Sequence, residues 1–296
     1  SLLSKDVEKL SKLHDRRKAL LESEATLIEK IYWLLEDTKR YGTLPFAGLA
    51  RAGFIAIQML DSLVSTGVLT LEDKDAFLSN VSTVSGEMTE EKNTLSKTQF
   101  LEKYGHLRPG TYDILSSRYD ENPEKYFQWT DKEEKKEYMG KRFALSLAQL
   151  NEINRLLQAS RLEVDVIELF DFFHKAIRMR ELSKFYFTKN LSDVLSLIGD
   201  FGEQYGYSKD QMSYSDISFF KDTYVSSGDF ESQLIFWIEL GKKRCREASK
   251  LSLPSVILSP NDVWGYEVQE SRPNFITQKA IEGNACTVDA AESLSG

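Results

Sequence analysis

The stretch FLEKYGHLRPGTYDI, Phe100 to Ile114, brings His106, Arg108, Tyr112 and Asp113 within eight residues of one another. Only three histidines occur in the 296 residues, so the position of one beside an arginine is a point to explain. An imidazole can give or take a proton near neutral pH. A guanidinium fork matches two oxygens of a phosphoryl or carboxylate group at once. Tyr112 and Asp113 can orient either partner. Pro109 and Gly110 stop any helix that runs into them, so the four side chains sit on a loop, where sites commonly lie. The same residues also fit a rigid turn whose histidine and arginine satisfy backbone carbonyls between helices.

A second group lies further on. His174, Arg178, Glu181 and Phe185 recur at steps of four, three and four, which places them on one helix face, with Arg180, Lys184 and Lys189 close by. One reading is a basic wall for an anionic ligand. The other is a helix-surface ion network, Arg178–Glu181–Lys184, contributing a few tenths of a kcal/mol per pair, roughly. The expectation carried forward is that the loop and this helix converge on one cleft. Arg108 is then the main anion contact, and Glu181 holds Arg178 or Lys184 in place. The candidate substrate-binding set is His106, Arg108, Tyr112, Asp113, Arg178, Arg180, Glu181 and Lys184. No catalytic residue is nominated, because the carboxylates are too dispersed for an acid–base pair. His14, on the outer side of a charged helix, is expected to be inert.

Other chemistries find little support. Phosphate-cradling glycine loops, the G-x-S-x-G elbow, H-E-x-x-H and paired C-x-x-C are all missing. Cys245 and Cys286 are far apart and give neither a disulfide framework nor a metal site, so a cytoplasmic location and no metal are expected. The formal charge of −8 argues against a nucleic-acid partner, which needs a basic face. No signal peptide is seen. The most apolar stretch, LPFAGLARAGFIAIQMLDSLV, is interrupted by Arg51, Gln58 and Asp61, which points to a buried helix and no membrane partner.

These groups need elements to hold them. Hydrophobic residues at 41% allow a sizeable core. Apolar positions from Val7 to Leu35 recur at three and four residues and predict one helix over 5–40, ended by Gly42. Thr43 and Pro45 fit the start of the next, to about Ser65, and a shorter helix covers Leu71 to Asn80. STVSGEMTEEKNTLSKTQ reads as a polar loop with a helical turn or two, and SSRYDENPEKYF as irregular chain. A charged helix is predicted over DKEEKKEYMGKRFALSLAQLNEINRLLQAS. Two helices broken near Thr188–Ser192 follow it, with Asn190 and Ser192 as caps. Ser208 caps a short turn, and Phe230–Lys250 is the last helix. After Leu251, prolines and β-branched residues predict short strands. The expected fold is mainly α: a multi-helix body over 1–250 and a small β element over 251–296.

FLEKYGHLRPGTYDILSSRYDENPEKYF resembles the segment that follows the ATP-grasp domain in phosphoenolpyruvate-synthase-like enzymes, a group that includes rifampicin phosphotransferase. LPFAGLARAGFIAIQMLDSLV, RELSKFYFTKNLSDVLSLIGDFGEQYG and RPNFITQKAIEG resemble further pieces, in order, from about residue 40 onward. The resemblance implies the central helical region of an ATP-dependent phosphotransferase of the dikinase type. Such a region binds the phosphoryl acceptor and docks a mobile phosphohistidine domain. Residues 251–296 would open that swivelling domain. Its Gly-Gly-x-x-[Ser/Thr]-His-type loop is not found, and none of the three histidines matches the phosphorylated one. The chain is therefore expected to be a fragment that does not turn over ATP alone and holds no cofactor itself. ATP and magnesium belong to the ATP-grasp domain. The implied partners are the ATP-grasp and phosphohistidine domains and a small-molecule acceptor. The alternative is a helical scaffold or linker with no small-molecule site.

Overall fold

The computed structural model describes residues 2–129, 143–225, 229–254 and 256–264. Among them the chain is mainly α-helical and contains no strand. The helices are α1 (Leu2–Leu21), α2 (Leu27–Asp37), α3 (Leu44–Ser65), α4 (Leu71–Ser79), α5 (Val84–Thr94) and α6 (Lys97–Tyr104). They continue with α7 (Pro123–Tyr126), α8 (Leu147–Ala159), α9 (Val166–Gln204), α10 (Lys209–Met212), α11 (Ile217–Val225) and α12 (Phe230–Ala248). The expected mainly α body is present.

Local chemistry sets most of the starts. Thr26–Glu29, Thr70–Asp73, Ser96–Gln99, Ser146–Gln149, Asp165–Glu168 and Ser208–Gln211 each form a reciprocal capping box. In each, the cap side chain accepts from the backbone of the third helical residue, whose own side chain returns the bond. α9 ends where Gly206 takes φ +77°, and the Tyr207 amide reaches back to the Gly202 carbonyl at 2.8 Å.

Several boundaries differ from expectation, among them a short helix at Pro123–Tyr126 in the stretch expected as irregular. The helix predicted over 5–40 breaks at residues 22–26, because the Thr26–Glu29 box starts a new helix there. Gly42 then ends nothing. Thr38–Thr43 forms a π turn that runs straight into α3, and Thr43 makes no side-chain cap bond. A Cβ on Gly42 would lie 2.7 Å from Phe187 Cβ, so the glycine serves close helix packing. Val84–Thr94, expected as a loop, is a helix capped by Thr83. The predicted break near Thr188–Ser192 is absent, and α9 runs unbroken for 39 residues, roughly 58 Å of rise. Thr188 back-bonds within the helix to the Lys184 carbonyl at 2.8 Å, and Ser192 spends its hydroxyl on the His106 carbonyl of another segment, so neither caps a new helix.

The chain divides into two compact units, Ser1–Cys245 and Arg246–Gly296. In the first, α9 is the spine along which α1, α2, the π turn and α3 pack. One apolar cluster joins Leu60 and Leu63 of α3, Phe77, Ile153 and Leu157 to the first part of α9 through Leu169 and Phe173. A second joins Ile31, Leu34, Phe219, Phe220 and Leu234 to its last part through Val194, Ile198 and Phe201. By length and composition alone, the continuous helical stretch Leu27–Ser65 is apolar enough to cross a membrane. In the fold it buries Leu49, Ala56 and Leu60 and exposes Leu44, Phe54 and Ile55.

In the second unit, the described residues after α12 form one 3-10 turn, Pro260–Val263. Asp262 caps it by accepting from the Leu258 and Ser259 amides at 2.7 and 2.8 Å. No strand appears among the described residues up to 264, and the rest of the expected β element, 265–296, lies outside the described residues. The charged run 131–142, expected as the first part of the helix over 131–160, lies outside them too, and that helix begins only at Leu147, where the Ser146–Gln149 box starts α8 after the non-helical 143–146.

Candidate functional site

The loop that follows α6 closes on itself. The Tyr119 amide donates to the Leu107 carbonyl at 2.8 Å and the Asp120 amide to that of Gly105 at 3.1 Å, pinning the two ends together. Between them, the Gly110 amide donates to Ser116 Oγ at 3.0 Å, and Asp113 Oδ1 accepts from the Leu115 amide at 2.9 Å. Short turns of this kind use the small polar side chains as backbone substitutes. Ile114 plugs the loop into the second apolar cluster. Tyr112 and Asp113 stay outside, Tyr112 with 68% of its surface open.

Arg108 fastens this loop to α9. It is 6% exposed. Its Nη1 donates to the Ser116 and Asp113 carbonyls at 2.9 and 3.4 Å. Nη2 donates to the Ser192 carbonyl and Ser196 Oγ, both at 3.2 Å, and Nε to Ser192 Oγ at 3.2 Å. Ser192 Oγ donates in turn to the His106 carbonyl at 2.6 Å. The guanidinium thus spends its donors on neutral carbonyl and hydroxyl acceptors of two segments. Burial pushes its pKa down from the ordinary arginine value, with Glu121 the main opposing charge. An arginine keeps its proton regardless.

His106 lies beside this fastening, 2% exposed and edge-on to Phe185 at 4.8 Å between ring centroids. Neither ring nitrogen has a partner in good hydrogen-bond geometry. Burial first, then the charges of Lys189, Arg118 and Arg17, lowers its pKa to about 3; the Phe185 backbone acts weakly the other way. The imidazole is therefore neutral at physiological pH. It is sealed from solvent and not positioned as a proton donor or acceptor.

A charged junction adjoins it. Asp193, one of the most buried carboxylates, accepts from Arg17 Nε of α1 at 2.5 Å and from Arg118 Nη1 at 2.9 Å. Arg118 also forks onto Asp120, Nε to Oδ1 at 2.8 Å and Nη2 to Oδ2 at 2.6 Å. Lys189 sits one turn before Asp193 on α9. Burial, then Arg17, pushes its pKa below the ordinary lysine value, with Asp193 opposing. Three chain segments, 1–21, 105–122 and α9, are tied at this point.

The second predicted group lies elsewhere. Arg178 Nη2 pairs with Glu87 Oε1 of α5 at 3.2 Å, and Glu87 continues to Lys103 at 3.8 Å. The guanidinium of Arg180 lies over the Phe54 ring of α3 at 4.8 Å, a cation–π contact. Glu181 is half-buried and Lys184 exposed. Fourteen helical steps separate Arg178 from Ser192, where Arg108 is held, about 21 Å of rise. The structure thus brings His106 and Arg108 together but does not bring Arg178 to them. His14 is exposed, as expected.

Sequence reasoning missed Arg17, Arg118 and Asp193; it named Lys189 only as a neighbour of the Arg178 group and read Ser192 only as a helix cap. The step of four from Lys189 to Asp193 and the Arg-Tyr-Asp run at 118–120 were readable. Nothing local could have marked Arg17, which meets Asp193 across 176 residues of chain.

Two cavities stand apart from all eight predicted residues. One of about 370 Å³ is lined by Arg16, Leu20, Trp33 and Asp37, the other of about 390 Å³ by Lys92, Glu124 and Tyr126. Among the described residues no cluster of histidine, cysteine and carboxylates could hold a metal ion. The class defined by these features is an all-helical protein, over the described residues, built on a long central helix with a polar middle. Comparison with known proteins finds no matching family model, no matching curated protein and no matching solved structure.

Proposed function

We propose that the chain is the central helical region of a phosphoenolpyruvate-synthase-like phosphotransferase. Its loop at residues 105–122 serves as a rigid docking element for the phosphoryl acceptor or the mobile phosphohistidine domain. One observation carries this reading: Arg108 locks the loop onto α9 while leaving Tyr112 open at its tip. A preformed loop contacts a partner without first losing conformational freedom, which favours binding. The role first assigned to Arg108 passes to the exposed tip, since its guanidinium is already engaged. ATP, magnesium and the carrier histidine are supplied by the ATP-grasp and phosphohistidine domains that the resemblance implies.

The second reading, a helical scaffold with no small-molecule site, draws support from the sealed His106 and the fully engaged Arg108. The two readings separate in a protein that carries all three domains. With labelled ATP, Tyr112→Ala should leave phosphorylation of the carrier histidine and the melting temperature intact while slowing transfer to the acceptor several-fold. Transfer at the wild-type rate would favour the scaffold. Failure to label any histidine would overturn the phosphotransferase reading itself.

A further inference from the structure

The turn between α1 and α2 is closed by Ser23 and Lys30, which donate to the Leu20 and Leu21 carbonyls at 2.7 and 3.1 Å. Beside this turn the two helices leave a cavity of about 370 Å³, at the small end of ligand pockets. Its apolar wall is Ala19 and Leu20 of α1 and Trp33 of α2. Trp33 is fixed by edge-on contacts with Tyr32 at 5.3 Å and Tyr224 at 6.1 Å between ring centroids. One ion pair, Arg16 with Asp37, lines the same cavity. Asp37 is only 2% exposed, yet the pair meets at a single point, Arg16 Nε to Asp37 Oδ2 at 2.8 Å. Among the described residues, Asp37 Oδ1 and the two Nη atoms of Arg16 make no hydrogen bond, and the guanidinium lies over the Tyr41 ring at 5.4 Å. The same residue types are used more fully elsewhere. Arg118 forks onto both oxygens of Asp120, and the less buried Asp193 takes two guanidinium groups. A buried carboxylate oxygen without a donor is costly. The π turn Thr38–Thr43 begins at the next residue, and π turns inside helices recur at functional sites.

We propose that this cavity binds a free α-amino acid with an apolar side chain. The ligand's ammonium group donates to Asp37 Oδ1, and its carboxylate accepts from the Nη atoms of Arg16. Its side chain packs on Trp33, Leu20 and Ala19. The Nε to Oδ2 bond of the pair stays in place. Each charge of the ligand meets an unused group of opposite sign, so the balance of the site is unchanged. A lone amine would face Arg16 without compensation, and a lone carboxylate would face Asp37. The proposal does not depend on the phosphotransferase reading, since none of these groups belongs to the loop at residues 105–122.

The test is calorimetric titration of the full 296-residue chain with L-phenylalanine and L-leucine. Phenethylamine and hydrocinnamate, which lack the carboxylate and the ammonium group in turn, serve as controls. At least one amino acid should bind saturably. Each control should bind about tenfold or more weakly than L-phenylalanine, because each gives up a bond to a charged group. Ala19 is exposed on α1, so Ala19→Phe should fill the cavity, keep the wild-type melting temperature and lose binding. Arg16→Gln, at a half-exposed side chain, should bring L-phenylalanine down to the level of phenethylamine. No binding of either amino acid would overturn the proposal. So would a control that binds as tightly as L-phenylalanine, or undiminished binding by Ala19→Phe, which would put the site elsewhere.

Discussion

The two ends of α9 and its middle are held by opposite kinds of interaction. Around Phe173 the helix packs against Ala56, Leu60, Phe77, Ile153 and Leu157, and its charges, such as the Asp171–Lys175 pair, stay on the exposed face. Around Ser192 it buries Ser183, Thr188, Asn190, Ser192 and Asp193, of which Ser192 bonds Arg108 and the His106 carbonyl and Asp193 bonds Arg17 and Arg118. The apolar end is stabilised by area removed from water, roughly 1.5–3 kcal/mol for each large side chain. That term tolerates any filler of similar volume. The middle is stabilised only if its charged groups, Asp193 with Arg17 and Arg118, meet at the right distance, because a buried charge left alone is costly. The apolar ends supply adhesion. The polar middle specifies which segments meet there.

Substitutions in the two regions should therefore fail differently. Phe173→Ala and Asp193→Ala are both expected to cost about 3–5 kcal/mol, the first by opening a cavity, the second by leaving Arg17 and Arg118 unpaired. Conservative replacements separate them. Phe173→Leu keeps an apolar filler and should cost about 1.5 kcal/mol or less. Asp193→Asn keeps the shape but not the charge, and should cost nearly as much as alanine. Urea denaturation of the four variants checks both statements, and a benign Asp193→Asn would break the comparison.

His106 gives a smaller, pH-dependent effect. Its ordinary value is 6.5 and its folded value about 3, so between those limits the unfolded chain takes up a proton that the folded chain refuses. Its neutral burial is fully tolerated above about pH 6.5. Below that, stability falls with pH by about 1.4 kcal/mol per unit until about pH 3. His106→Leu should flatten the slope of unfolding free energy between about pH 6.5 and 5 relative to wild type. Parallel slopes would show that His106 is protonated in the fold or not sealed. Smallest of all, Arg178→Ala removes an exposed pair with Glu87 and should change stability by about 1 kcal/mol or less. A larger loss would mean that the Glu87–Lys103 network is structural.

What could be read from the sequence follows the same division. The mainly helical body was legible because the ends of α9 and the helices around them repeat apolar residues at three and four positions. The caps at Ser208 and the start of α4 were legible for similarly local reasons. The continuity of α9 was not. Asn190 and Ser192 look like cap residues, and only the loop arriving from residue 106 shows where the Ser192 hydroxyl goes. The loop itself was legible as a concentration of polar groups. Its inward-facing half was not, since a buried arginine bonded to carbonyls and one bonded to an anion share a sequence. The break at residues 22–26 was missed because the three/four apolar rhythm continues across it while the Thr26–Glu29 box restarts the helix.

The central claim is that Arg108 is a fastener rather than an anion contact. The most direct test is the melting temperature of Arg108→Lys. Lysine keeps the charge but cannot reach the Ser116 and Ser192 carbonyls together with two serine hydroxyls, so a fastener should fail almost as fully as with alanine. The expected loss, about 3 kcal/mol or more, corresponds to a melting temperature lower by roughly 6 °C or more for a chain of this size. A melting temperature equal to wild type, with loss of phosphoryl transfer in the three-domain protein, would contradict the account and return Arg108 to the role of anion contact.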